Sequence, residues 1–376
     1  MAHIQKRLRG GKTQWVFRYV DPAGKERSKT FRRKTDADSY RQSIESAIST
    51  GSYVDPKRGK VATDVWAQTW LDGKTNLTPK SRQRYQEALD KHVKPRWKEV
   101  PLDRVTHAEI QQWLAELGQG RAAATVRKHA NIMRQIMALA VKDGRLARNP
   151  AEGLGLPKPT QARKRYLTHQ QVETVAEAVG AQWSLVVRFL AYTGLRWGEA
   201  AALRVGSLDL LHKRAIVERS VTPVKGVMVF GDTKGHRFRE VPVPPFLVPE
   251  LEALISRGKK PDDLLFTGPR GAVLRSQTFQ RAALDAASKE LSPEHSAAPP
   301  DDCRCFRCHP LTPHELRHTS ASLAIAAGAD VKVVQQMLGH KSATMTLDLY
   351  GHLFPDRLST VADAMAAARA VALGGV

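Results

Sequence analysis

LTPHELRHTSASLAIAAGADVKVVQQMLGHKSATMTLDLY, residues 311–350, sets two predicted helices and a group of reactive side chains in a fixed order. Thr312 before Pro313 reads as an N-cap followed by the residue best suited to a first helical position. The helix then runs past Leu323 and Ile325 to a stop at Gly328. DVKVVQQML forms a second helix that ends at Gly339 and leaves His340 in the turn. His314 and Arg317, three apart, share one helix face. They sit near a helix N-terminus, which itself attracts phosphate. His318, in the same run, reads as a structural histidine. Tyr350 lies ten residues after His340 among apolar neighbours, and alone it reads as a buried core tyrosine.

Upstream, TGLRWGEA (193–200) places Arg196 in a break just after a helix that ends at Gly194. Glu199, three residues on, can reach back and orient a basic neighbour. In isolation such a pair is most often a surface contact. TKGHRFREVPV (233–243) places Lys234 at the tip of a predicted hairpin. Taken together these residue types suit one chemistry. Two guanidiniums can grip a phosphodiester bidentately, as lysine cannot. A phenol can attack it, imidazoles can move protons, and an ammonium can protonate a leaving oxygen. A phenol of pKa about 10 needs a base or a positive field to do this at neutral pH.

The rest of the chain fits a polyanionic partner. Its 376 residues are 42% hydrophobic and 26% charged, with a formal net charge of +22. Such a balance favours nucleic acid, with binding that weakens steeply as salt rises. No apolar run reaches membrane-spanning length, and MAHIQKRLRGGK lacks a signal peptide's apolar stretch. The expected location is therefore the cytoplasm, at the nucleoid, without membrane association.

Three regions follow one another. Residues 1–60 hold 15 Lys and Arg against 6 Asp and Glu. TQWVFRYVD and KERSKTFRR alternate as strands do, with DPAGK as the hairpin turn, and TDADSYRQSIESAIST reads as a helix with a Thr or Asp N-cap. Residues 61–155 are expected to be all helical. Trp66, Trp70, Trp113, Met133 and Met137 form the core, Thr78 and Thr106 are N-caps, and Gly118 and Gly144 are C-terminal stops. A proline-rich basic linker, RNPAEGLGLPKPTQARKRYLT, leads to a mixed α/β segment running to the C-terminus. There RAIVERSVTP, VMVFGDTK and FREVPVP read as strands.

TGLRWGEA, TKGHRFREVPV, LTPHELRHTSASLAIAAG and LGHKSATMTLDLYGHLFP, in that order, resemble the tyrosine recombinases of the phage integrase type. The resemblance implies a multidomain, mainly α fold with small β sheets. It would comprise an arm-type DNA-binding domain of sheet plus helix (1–58), a helical, SAM-like core-binding domain (61–155) and a mixed α/β catalytic domain (165–376). It implies that Tyr350 attacks the scissile phosphate to give a 3′-phosphotyrosyl bond, with Arg196 and Arg317 clamping the non-bridging oxygens. Lys234 would protonate the leaving 5′-oxygen, His314 would act as base or proton shuttle, His340 would donate to the phosphate, and Glu199 would support the site. No cofactor is required on this route. The implied partners are double-stranded DNA attachment sites, a homotetramer on that DNA, and a host DNA-bending protein and excisionase. The C-terminal segment would dock on a neighbouring subunit.

One segment departs from that pattern. SPEHSAAPPDDCRCFRCHP (292–310) reads as an insertion holding all three cysteines, Cys303, Cys305 and Cys308, beside His309 and near His295. A distributed disulfide framework is thereby excluded. A structural zinc, a loop of free thiols and a redox-sensitive pair are all open readings, because C-x-C is tighter than ordinary zinc spacing. Two functional alternatives stand beside recombination: type IB topoisomerase-like relaxation, and a DNA-binding protein without catalysis.

Overall fold

The computed structural model describes residues 2–373 except Ala23, Ser52, Pro56, 159–164, 234–237, 291–304, Arg307 and 355–357. The chain divides into two compact units, Met1–Gln161 and Ala162–Val376.

The first unit begins with an antiparallel meander of β1 (His3–Arg9), β2 (Lys12–Val20) and β3 (Glu26–Phe31), covered by a helix over Lys34–Ser49. Phe17, Tyr19 and Ile44 form its small core, with Ile4, Phe31 and Tyr40 against them. β1 escaped the sequence reading because only Ile4 of its seven residues turns inward, so it shows no alternation. The signal was the turn. Gly10 and Gly11 both adopt positive φ, 56° and 73°, as a tight two-residue hairpin requires. The β2–β3 turn closes on Asp21, whose carboxylate accepts from Lys25 N at 2.9 Å and from Arg27 Nε at 2.9 Å. The helix starts from Arg33 with no side-chain cap, not from the Thr or Asp expected.

The remainder of this unit is helical: Thr63–Asp72, Pro79–Ala88 with its continuation to Trp97, His107–Gly118 and Ala123–Lys142. Thr78 and Thr106 cap as expected, Thr106 reciprocally with Glu109. Gly144 stops its helix with φ +65°, whereas Gly118 is still helical and Gly120, at φ +69°, makes the turn. Trp66, Trp70, Trp97, Trp113, Met133 and Met137 are buried in one core.

In the second unit, helices Ala181–Thr193 and Pro313–Ala326 pack together through Val187, Phe189, Leu190 and Leu316. The strands are β4 (Leu208–Asp209), β5 (Arg214–Val217), β6 (Arg219–Val224), β7 (Val227–Asp232) and β8 (Arg239–Pro242). RAIVERSVTP, read as one strand, breaks at Glu218. β5 joins a β4-β5-β8 sheet, and β6 pairs β7 in a separate ribbon. Lys225 and Gly226, φ 45° and 84°, turn that ribbon. Helices Val331–Leu338 and Ala343–Tyr350 follow, and Val334, Leu338 and Tyr350 share a second core with Ala321 and Ile325. No described helix is long and apolar enough to cross a membrane.

Trp97 is fully buried beside Trp113, with ring centroids 6.3 Å apart. Trp97→Ala should therefore cost about 3–5 kcal/mol in denaturant unfolding of the full chain. Val65→Ala, at a 56% exposed position, should stay within about 0.5 kcal/mol. Equal effects of the two would contradict this core.

Candidate active site

The site is built on helix ends. Gly194 ends Ala181–Thr193 in the left-handed conformation, φ +67°, and Arg196 stands extended before the short helix Trp197–Ala200. Thr312 caps Pro313–Ala326 in a reciprocal box with Glu315, which brings His314 and Arg317 into the first turns. Gly339 ends Val331–Leu338 at φ +62°, and His340 follows. Ser342 then caps Ala343–Tyr350, which delivers Tyr350 at its last residue.

Three successive carbonyls at the end of Val331–Leu338 each accept from a different arginine. Met337 O takes Arg239 Nε at 3.2 Å, Leu338 O takes Arg317 Nη2, and Gly339 O takes Arg196 Nη2 at 3.3 Å. The C-terminal end of a helix carries partial negative charge, so cations gather there favourably. Arg317 also donates through Nη1 to Gly194 O at 2.6 Å, which ties the two helix ends together.

Glu199, 1% exposed, holds the arginines from the other side. Its Oε1 accepts from Arg196 Nη1 at 2.9 Å and Arg239 Nη1 at 3.1 Å. Its Oε2 accepts from Arg196 N at 2.9 Å and Arg239 Nη2 at 2.6 Å. Burial pushes its carboxyl up, but the hydrogen bond from Arg239 and the charges of Arg239 and Arg196 outweigh burial, and the net shift is downward. Glu199 is therefore ionised at neutral pH.

The balance of charge is incomplete. Arg196, Arg239 and Arg317 face one carboxylate, which leaves an unmet demand for an anion. Arg317, 3% exposed, shows the cost: burial, then Arg196, lowers it to about 9, still protonated at neutral pH. His340 is lowered to about 4, by burial and then by Arg317 and Arg196, so its ring is neutral. Its Nδ1 lies 3.0 Å from Thr346 Oγ1, which fixes the ring and leaves Nε2 as the second polar atom. Arg196, Arg239 and His340 line a cleft of about 870 Å³ with Arg214, Lys332 and Lys341.

Tyr350 is 1% exposed, and its pKa is pushed up to about 12 by burial, with Arg317 pulling the other way. Its hydroxyl lies 2.6 Å from His318 Nδ1. His318, read from sequence as structural, thus lies against the tyrosine of the candidate site. The signal was its position, one turn after His314 on the same helix face. The two imidazoles meet edge to face at 4.7 Å, and His314 is the exposed member. The His340 ring lies parallel to that of Tyr350 at 6.3 Å.

The structure thus brings together Arg196, Glu199, His314, Arg317, His340 and Tyr350. Lys234 lies outside the described residues. Sequence reasoning missed Arg239 as well as His318, because FREVPVP reads simply as an alternating strand. Cys305 and Cys308 lie in a turn in which Cys308 N donates to Cys305 Sγ at 3.3 Å. Among the described residues no group of three ligating side chains converges for a metal. Cys303 and His295 lie outside them.

Comparison with known proteins gives the chain a family. The phage integrase family matches residues 165–357, and the phage integrase central domain matches residues 64–155. The chain is 27% identical over 378 residues to the integrase of Mycobacterium phage L5, covering 96% of each. It is 30% identical over 271 residues to the tyrosine recombinase XerC of Mycobacterium bovis, covering 69% of this chain and 83% of that one. The fold is similar to the Tn1549 transposon integrase in complex with a circular intermediate DNA: TM-score 0.67, 20% identity, 77% of this chain and 95% of that one. It is also similar to a lambda integrase tetramer bound to a Holliday junction: TM-score 0.60, 19% identity, 90% of this chain and 96% of that one. This chain belongs to the phage integrase family and is a site-specific tyrosine recombinase, a DNA strand-transferring enzyme.

Proposed function

We propose that Tyr350 is the nucleophile and that Arg196 and Arg317 are the phosphate clamp. The observation that carries this reading is the anion-deficient pair of guanidiniums on adjacent carbonyls, in one domain with a phenol already hydrogen-bonded to an imidazole. Each of these two arginines spends only two of its five N–H donors on the protein bonds described above. The others can bind non-bridging oxygens and offset charge that builds as phosphorus becomes five-coordinate.

The phenolic oxygen forms a bond to phosphorus as the bond to the 5′-oxygen breaks. This leaves a 3′-phosphotyrosyl linkage and a free 5′-hydroxyl. Because Tyr350 is raised to about 12, it must lose its proton during attack. His318 Nδ1 is placed to accept that proton, with His314 beside it as the shuttle toward solvent. His340, neutral, donates a hydrogen bond to the phosphate, Glu199 orients Arg196, and Lys234 protonates the leaving oxygen. The phosphotyrosyl bond keeps the energy of the phosphodiester, so a 5′-hydroxyl from another strand can reverse the attack without ATP, and the clamp supplies charge that a divalent ion supplies elsewhere.

The same reading assigns residues 1–58 to arm-type sites, 61–155 to core-site binding and 165–376 to catalysis. Exposed Lys6, Arg7, Arg9 and Lys12 on the β1–β2 hairpin support the first assignment. Integration or excision of a mobile element such as a prophage would proceed in a homotetramer on paired attachment sites. A host bending protein and an excisionase would serve as accessory factors at the nucleoid. A subsidiary proposal is a structural zinc at Cys303, Cys305 and Cys308, favoured by the C-x-x-C turn with its N–H···S contact.

Tyr350→Phe should abolish the covalent protein–DNA adduct on a nicked suicide substrate, by at least about 10³-fold, while attachment-site affinity stays near wild type. An adduct that persists in Tyr350→Phe would refute the assignment. For the cysteine turn, one zinc per chain in purified protein, lost in Cys305→Ser, is the expected result; metal-free protein ends that proposal.

A further inference from the structure

We propose that Arg239 is a positioning residue that sets the geometry of the phosphate clamp. It opens β8, where it pairs with Val217 of β5, and its side chain is 13% exposed. Its fork grips both oxygens of Glu199, and its Nε reaches Met337 O, the first of the three arginine-binding carbonyls. Each Glu199 oxygen therefore carries one bond from Arg239 and one from Arg196. A carboxylate held at both oxygens by one planar guanidinium cannot rotate. Arg196, which depends on the same two oxygens, is fixed in turn. Lysine keeps the charge but presents a single nitrogen, so it cannot span the carboxylate.

The neighbouring glycine supports this role. A Cβ on Gly339 would lie 3.0 Å from both Cδ and Nε of Arg239 and 3.1 Å from its Cζ, at a residue whose φ is +62°. The backbone that offers Gly339 O to Arg196 thus leaves no side-chain room because Arg239 fills it. With three of its five donors spent on Glu199 and Met337, Arg239 acts on the phosphate through Arg196.

This inference rests on the reading of Arg196 and Arg317 as the clamp. The test is single-turnover cleavage of suicide substrates by the full chain. One substrate carries a native scissile phosphate, and the other an uncharged methylphosphonate that needs less neutralisation. Arg239→Lys and Arg239→Gln should bind DNA within about threefold of wild type and cleave the native phosphate about 10²-fold more slowly, the scale of a small misplacement of a catalytic group. That deficit should shrink to a few-fold on the methylphosphonate, as it should for Arg196→Ala. Gly339→Ala, which displaces Arg239 from another residue, should reproduce the pattern.

A deficit equal on both substrates, or wild-type cleavage by Arg239→Lys, overturns the proposal. Should Arg239→Gln fail to fold, Arg239→Lys, which retains the charge, and Gly339→Ala decide it. A deficit of Arg196→Ala that persists unchanged on the methylphosphonate is a different result: it refutes the clamp itself.

Discussion

Three guanidiniums gather around a single buried carboxylate, and the second unit's active site is organised around keeping them there. Like charges in a low-dielectric pocket repel strongly, and one carboxylate cannot neutralise three cations. The remainder comes from partial charges: the carbonyls of Met337, Leu338 and Gly339 at one helix end and that of Gly194 at another. These dipoles hold cations in place without cancelling their charge. A site built this way stays hungry for an anion, which on the proposed reading a DNA phosphate supplies. Burial first, and then the neighbouring arginines, lower Arg317 and His340, so the crowding of cations adds to the cost of assembling the cluster.

The nucleophile is treated in the opposite manner. Tyr350 is enclosed by apolar neighbours that keep its phenol neutral, and its hydroxyl lies against an imidazole. Burial disfavours free phenolate, while Arg317 favours it. On the proposed reading, attack awaits a phosphate that both accepts the new bond and completes the electrostatics around it. Chemistry is then coupled to substrate arrival, which suits an enzyme whose covalent intermediate is a broken DNA strand.

Much of this could be read in the sequence, for physical reasons that differ by residue. Arg196, Arg317 and His340 each stand beside a helix end marked by glycine, proline or threonine, and such punctuation is local. Trp66, Trp70 and Trp113 of the helical region were legible from period, whereas Trp97 of the same core was not. Arg239 and His318 were not, because their significance lies in partners far along the chain: Glu199 and Met337 for one, Tyr350 for the other. A strand that alternates charge and valine gives no hint that one of its arginines spans a buried carboxylate. β1 was missed for a related reason. With one inward residue it has no periodic signature, and its pairing with β2 is a property of the sheet.

The central claim is a division of labour among the arginines: two for the phosphate, one for the scaffold. The most direct measurement is a crystal structure of the full chain with cleaved attachment-site DNA and vanadate, which mimics five-coordinate phosphorus. The account predicts Tyr350 Oη and the 5′-oxygen at the two apices, the equatorial oxygens on Arg196 and Arg317, and Arg239 still forked on Glu199. Vanadate bound by Arg239 in place of Arg196, or a site formed away from Tyr350, would contradict it.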